Sequence, residues 1–262
     1  MARQAEPARC VGEDHGVPDV VVLLLAASAT AFATGLGAIP VFLFGERTEQ
    51  LTPSLLGFAA GVMGVAALAG LLIPASEEGS FAEVVAGLGI GIAFLIVARR
   101  RFRPEHGFMG RTGRGTRTSA LVFLVLFVHS LPEGLAIGTA FASDRAGLSL
   151  FVILAIGIQN VPEGTSVAIP MQEAGFGRAR QFWAAVATSA PQPAGALIAF
   201  LAVEEVSGLL PLSFAFAAGA MLALIVTEML PKAYAGPQRL GPGIGLALGA
   251  ALMLGLSYAL GV

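Results

Sequence analysis

In the run VHSLPEGLAIG, residues 128–138, a histidine and a glutamate stand four apart among apolar neighbours. Further on, IQNVPEGTSVA (158–168) repeats the pattern, with Glu163 in the place of Glu133 and Pro162 in the place of Pro132. One imidazole and two carboxylates form a ligand set for a divalent transition ion such as zinc, iron, manganese, cobalt or cadmium, and the two glutamates balance its charge. The spacing puts His129 and Glu133 on one helical face. Each proline removes a backbone donor and disturbs the carbonyl four residues back, on Val128 and Ile158, which predicts a polar notch in each helix. The plainer alternative is an ion pair, or protonated glutamates bonded to neighbouring helices. A packing device has no need of broken backbone in both copies, so the metal reading is favoured.

The elements that position these groups follow from composition. Hydrophobic residues make up 56% of the 262 residues, charged residues 12%, and the mean hydropathy is +0.81, too apolar for a water-soluble globule. A helix crosses a bilayer with about 20 mostly apolar residues. Eight stretches qualify: 18–44, 53–75, 81–98, 119–143, 147–171, 181–203, 208–231 and 240–261. The expected fold is an all-α integral membrane protein forming a single domain. It comprises an extracytoplasmic leader (1–17), spans 1–3 (18–98), an Arg-rich cytoplasmic loop (99–118) and spans 4–8 (119–262). The leader is polar and lacks both a basic stretch and a small-residue cleavage site, so the first stretch reads as a mature span.

Seven arginines at 99–118 assign that loop to the cytoplasmic side. Arg47, Arg178, Arg180, Lys232 and Arg239 then fall on the same side, leaving Arg3, Arg9 and Arg145 outside, with both termini extracytoplasmic. The loop is read as a topology anchor and not as a surface for nucleic acid or lipid headgroups. Glu77, Glu78, Glu83, Asp144, Glu204 and Glu205 fall in the outer loops, where an acidic face would concentrate cations, although each singly reads as a solvated charge. The lone Cys10 excludes an intrachain disulfide and a cysteine-rich metal cage.

GFAAGVM (57–63) in span 2 recurs as AFAAGAM (215–221) in span 7. These spans run in opposite directions, so spans 1–3 and 6–8 are expected to be inverted three-helix repeats around the central pair, spans 4 and 5. Ionisable groups at membrane depth cost several kcal/mol unless partnered. Gln159 and Asn160 occupy the turn before Glu163, as His129 and Ser130 do before Glu133. In span 6, TSAPQPAGA (188–196) sets Gln192 between Pro191 and Pro193, reading as a doubly broken helix lining a cavity or as a simple kink. Met63 offers a soft thioether, but taken alone it reads as packing. Glu228, near the cytoplasmic end of span 7, suits an exit-side cation contact, and equally a pair with Lys232.

HSLPEGLAIG and QNVPEGTSVAIP resemble the paired signatures of the ZIP (Zrt/Irt-like) metal transporters, in particular their GufA-like prokaryotic branch. The resemblance covers nearly the whole chain. It implies eight spans with termini outside, a homodimer in the cell membrane of a prokaryote, and no enzymatic activity. It also implies that a divalent metal ion, zinc first among the candidates, is transported substrate and not a cofactor, carried inward by alternating access between spans 4 and 5. His129, Glu133 and Glu163 match family ligands, and Met63 matches a span 2 methionine that joins the site in some members. The departures are Ser130 for asparagine, Gln159 for histidine, followed by Asn160, and Gln192 for the span 6 glutamate. Each substitutes a weak neutral ligand, so a first ion keeps its core ligands while a second loses much of its negative charge. A non-transporting metal sensor is the second reading, and an intramembrane metallohydrolase a weaker third, since three ligands leave no obvious spare base.

Overall fold

The computed structural model describes residues 17–101, 109, 114–237 and 240–262. The leader with Cys10, Arg3 and Arg9, most of the loop 99–118 including His106, and Arg239 lie outside the described residues. Within a bilayer every backbone polar group must be satisfied inside the chain, and helices do this span by span. Among the described residues eight are long and apolar enough to cross: Asp19–Phe44, Thr48–Glu78, Phe81–Arg101, Thr116–Phe141, Leu148–Glu173, Arg178–Glu205, Leu210–Ala233 and Leu240–Leu260. These correspond in order to spans 1–8. Several helices run past the apolar stretch, as span 2 does at both ends, because hydropathy marks the hydrocarbon layer and not the end of hydrogen bonding.

Spans 4 and 5 continue unbroken through Pro132 and Pro162. Span 6 departs from the expected double break. One helix ends at Thr188, two residues form a turn, and a second helix starts at Pro191, leaving Gln192 in its first turn. Proline is tolerated in a first turn, where no backbone donor is required, so Pro191 and Pro193 start a helix here and do not break one twice. Span 1 has a matching joint at Gly37, between helices Val17–Leu36 and Ala38–Phe44. Spans 2 and 7 each contain a π-helical segment, Ala66–Leu72 and Ile225–Met229. Such widened turns often occur at functional sites.

Packing groups the helices in close pairs: span 2 with 8, 3 with 7, 4 with 6 and 1 with 5. The last two pairs depend on the glycines that follow the repeated glutamates. A Cβ on Gly134 would sit 2.2 Å from the Gln192 carbonyl oxygen, and one on Gly164 would sit 1.7 Å from that of Thr34. Only a residue without a side chain allows these backbones to meet. Thr165 adds a hydrogen bond from its hydroxyl to the Gly37 carbonyl, 2.8 Å. The repeated glutamates are therefore clamped at the level where spans 1 and 6 bend.

At the end of the molecule opposite the arginine loop, Arg145 pairs with Glu77 (2.8 Å) and Glu78 (2.6 Å), tying the span 4–5 turn to the end of span 2. Glu83 accepts from the Ser80 backbone (2.7 Å) and hydroxyl (2.8 Å), and its own backbone N–H donates to that hydroxyl, a capping box starting span 3. Three of the six outer acids are thus committed to structural contacts, which weakens the expected cation-attracting face.

Candidate metal centre

His129 and Glu133 project from one face of span 4 and Glu163 from span 5, and all three are buried. Each offers one ligand atom to a cluster within 4.8 Å. His129 Nε2 lies 3.2 Å from Glu133 Oε1 and 3.7 Å from Glu163 Oε1, yet forms an aligned hydrogen bond to neither. A tetrahedral zinc with ligands about 2.1 Å away holds neighbouring ligands about 3.4 Å apart. Both separations are close to that edge, so the spacing of His129 to each carboxylate is one that a tetrahedral ion's ligands would have.

Hydrogen-bond satisfaction supports the same arrangement. Buried polar atoms are normally paired, and leaving one unpaired costs roughly 1–3 kcal/mol. Both ring nitrogens of His129 and Oε1 of Glu163 are buried without a hydrogen-bond partner among the described residues. A cation placed between them engages a nitrogen of one and the free oxygen of the other.

The amides expected nearby are brought to the site, but as hydrogen-bonding partners. Gln192 donates to Glu133 Oε2 (2.6 Å), and the Gln159 side-chain amide donates to Glu133 Oε1. The Gln192 side-chain Oε1 accepts from Thr30 (2.9 Å) and Asn160 (3.3 Å), and Asn160 also donates to the Thr30 backbone carbonyl (2.6 Å). The Ser130 hydroxyl donates back to Leu126 of its own helix, 2.9 Å, so its proton is spent on the backbone. Met63 is buried in the main apolar cluster just before the π-helical segment of span 2, and it takes no part in this polar network. Glu228 stands apart: Lys232 pairs with its Oε2 at 2.8 Å, and Arg99 with Oε1.

Two contributors escape a reading that looks only for charge. Thr30 holds Gln192, and the Thr34 hydroxyl meets that of Ser189 at 2.7 Å, joining the bends of spans 1 and 6. Their signal was present, two threonines four apart in an otherwise apolar span. Threonine is common in membrane helices, where it bonds its own backbone, so the pattern is weak.

Glu163 also borders a cavity of about 410 Å³ that reaches Ser166, Pro170, Glu49 and Glu173. A second cavity of about 230 Å³ continues at Gly45, Glu49, Gln172 and Glu173. The opening lies toward the end of the molecule that carries the arginine loop.

A family model described as the ZIP zinc transporter matches residues 109–257. Similar proteins include the zinc transporter GufA of Myxococcus xanthus, 37% identical over 91% of this chain and 98% of its own length. The zinc transporter ZupT of Corynebacterium glutamicum is 33% identical over 88% of this chain and 97% of its own. The zinc transporter ZIPB of Bordetella bronchiseptica is 31% identical over 91% and 81% respectively. With its paired glutamate motifs, eight spans and matches along nearly its whole length, the chain belongs to the ZIP family.

Proposed function

We propose that the protein is a divalent metal permease, with zinc its leading substrate, that carries the ion into the cytoplasm through His129, Glu133 and Glu163. The observation that carries the reading is the unpartnered imidazole and carboxylate oxygen held at tetrahedral-edge spacing in a buried site. The named relatives are zinc transporters and not enzymes, which removes the hydrolase reading.

By the positive-inside bias the arginine loop is cytoplasmic and both termini are outside. The cavity beside Glu163 then faces the cytoplasm while the Arg145 ion pairs hold the outer end closed, a release-ready stage of alternating access. Spans 1–3 and 6–8 are inverted halves in this scheme. The π-helical segments support it, each beginning shortly after the methionine that ends a matching motif, Met63 or Met221. A single ion is carried, because hydrogen bonds already occupy Gln192 and Asn160 where a second would bind. The functional unit is a homodimer in a prokaryotic cell membrane.

Uptake of a panel of divalent ions into proteoliposomes tests the proposal, with wild type beside Glu133→Ala and Glu163→Ala at matched reconstitution. Saturable uptake by wild type alone supports a permease. Saturable binding without flux would instead establish a sensor.

A further inference from the structure

A third cavity, of about 820 Å³, opens between spans 3, 4 and 7 at the end that carries the arginine loop. Arg99, Arg100, Arg117 and Lys232 line it against one carboxylate, Glu228. Glu228 already pairs with Arg99 and Lys232. Arg100 and Arg117, both exposed, add charge for which the wall holds no counterpart among the described residues. Arg99 also buries its Nε with no hydrogen-bond partner among the described residues, although a buried guanidinium donor normally finds an acceptor. Most of the remaining wall is apolar, including Ile96, Leu121 and Val125, with Thr118 and Thr227 among it. Just beside it, Val97 is 62% exposed on the outer surface of span 3.

We propose that this cavity holds the phosphate headgroup of an anionic phospholipid, with its acyl chains along the apolar wall. Phosphate supplies the acceptor oxygens and negative charge that the arginines lack, and basic pockets between spans recognise such headgroups. A free anion would use the charge but not the apolar side chains of the wall, so the lipid is favoured. A lipid held there bridges span 4, which carries His129 and Glu133, to spans 3 and 7. It would therefore influence how readily the metal-bearing helix moves against its neighbours. The expectation of a topology anchor alone is extended: the arginines nearest the spans also form a binding site. This inference rests on membrane placement and not on the identity of the transported ion.

Delipidated full-length protein in detergent is titrated with phosphatidylglycerol, phosphatidylcholine and inorganic phosphate, with binding read by native mass spectrometry. Wild type is compared with Arg100→Gln, Arg117→Gln and their double variant, and with Arg178→Gln/Arg180→Gln as a charge-matched control. Phosphatidylglycerol should bind in preference to phosphatidylcholine, and each cavity arginine removed should weaken it roughly fivefold. The control pair should leave binding unchanged. Equal binding of the two lipids, equal loss in the control pair, or saturation of the site by inorganic phosphate with no gain from phosphatidylglycerol would overturn the proposal. The readout involves no metal, so its failure leaves the transport reading untouched.

Discussion

Gln192 donates its side-chain amide to Glu133 Oε2 across 2.6 Å, so span 6 satisfies one oxygen of the span 4 carboxylate before any metal arrives. An amide in this position neutralises nothing; it fills the coordination space of a further cation with a hydrogen bond. Replacing it with a carboxylate should reverse that balance. In Gln192→Glu, the metal bound per chain, measured by calorimetry and by elemental analysis, should rise from one ion to two. A folded variant that still binds one would show that the amide does not set the stoichiometry.

The two glutamates should answer differently to the same neutral substitution. Glu163 Oε1 accepts no hydrogen bond, so Glu163→Gln should lose metal affinity with little loss of metal-free stability. Glu133 accepts from both Gln159 and Gln192, and Glu133→Gln presents an amide donor to one of those donors. Its metal-free form should lose about 1–3 kcal/mol. Both should weaken zinc binding by more than the roughly 10–100-fold that outer-shell partners contribute. Thermal unfolding without metal separates the pair, and equal destabilisation would count against the hydrogen-bond assignment.

Gly164→Ala should be among the most damaging single-methyl additions in the chain, because the new Cβ would meet a backbone oxygen at 1.7 Å. Gly134→Ala, at 2.2 Å, should follow closely. Overpacking of this kind costs about 1–3 kcal/mol or more. Gly89→Ala, where nothing lies within 4 Å, should be neutral. Unfolding temperatures in detergent would rank the three.

Zinc binding should weaken as pH falls. An imidazole and two carboxylates coordinate only when unprotonated, so acid competes directly with the ion, and loading the site releases protons. Affinity measured across a pH series in buffers of different ionisation enthalpy reads both effects. A pH-independent affinity would exclude His129 as a ligand.

Much of this was legible in the sequence because two strong patterns coincide. Long apolar stretches mark spans in any bilayer protein, and the repeated proline–glutamate–glycine placed His129, Glu133 and Glu163 together. What escaped depends on contacts between helices. Gln192 could be read as a cavity lining, but its bond to Glu133 depends on how closely Gly134 lets span 6 approach. Arg99 finds Glu228 across two helices far apart in sequence, a partner no spacing rule provides. The π-helical segments are local rearrangements of an otherwise continuous pattern, and hydropathy is blind to them. The span 6 double break was misread because proline's meaning changes with position: disruptive inside a helix, permissive at its start.

The joints of spans 1 and 6 carry a mechanical consequence. Around Gly37 and Ser189 the backbone is held by three-residue turns, Gly37 to Thr34 and Ser189 to Val186, and the Thr34–Ser189 hydrogen bond links the two bends side by side. Two rods jointed at one level and pinned together at the joint behave as a single elbow. Their segments on the arginine-loop side, Ala38–Phe44 and Arg178–Thr188, meet where the Arg178 guanidinium lies over the Phe42 ring, and Phe32 of the longer span 1 helix meets Phe182 and Trp183 edge to face. Because these turns keep their amides bonded within the chain, a bend at that elbow need not expose an amide to lipid, which would let the helices beside the candidate metal site yield without unfolding.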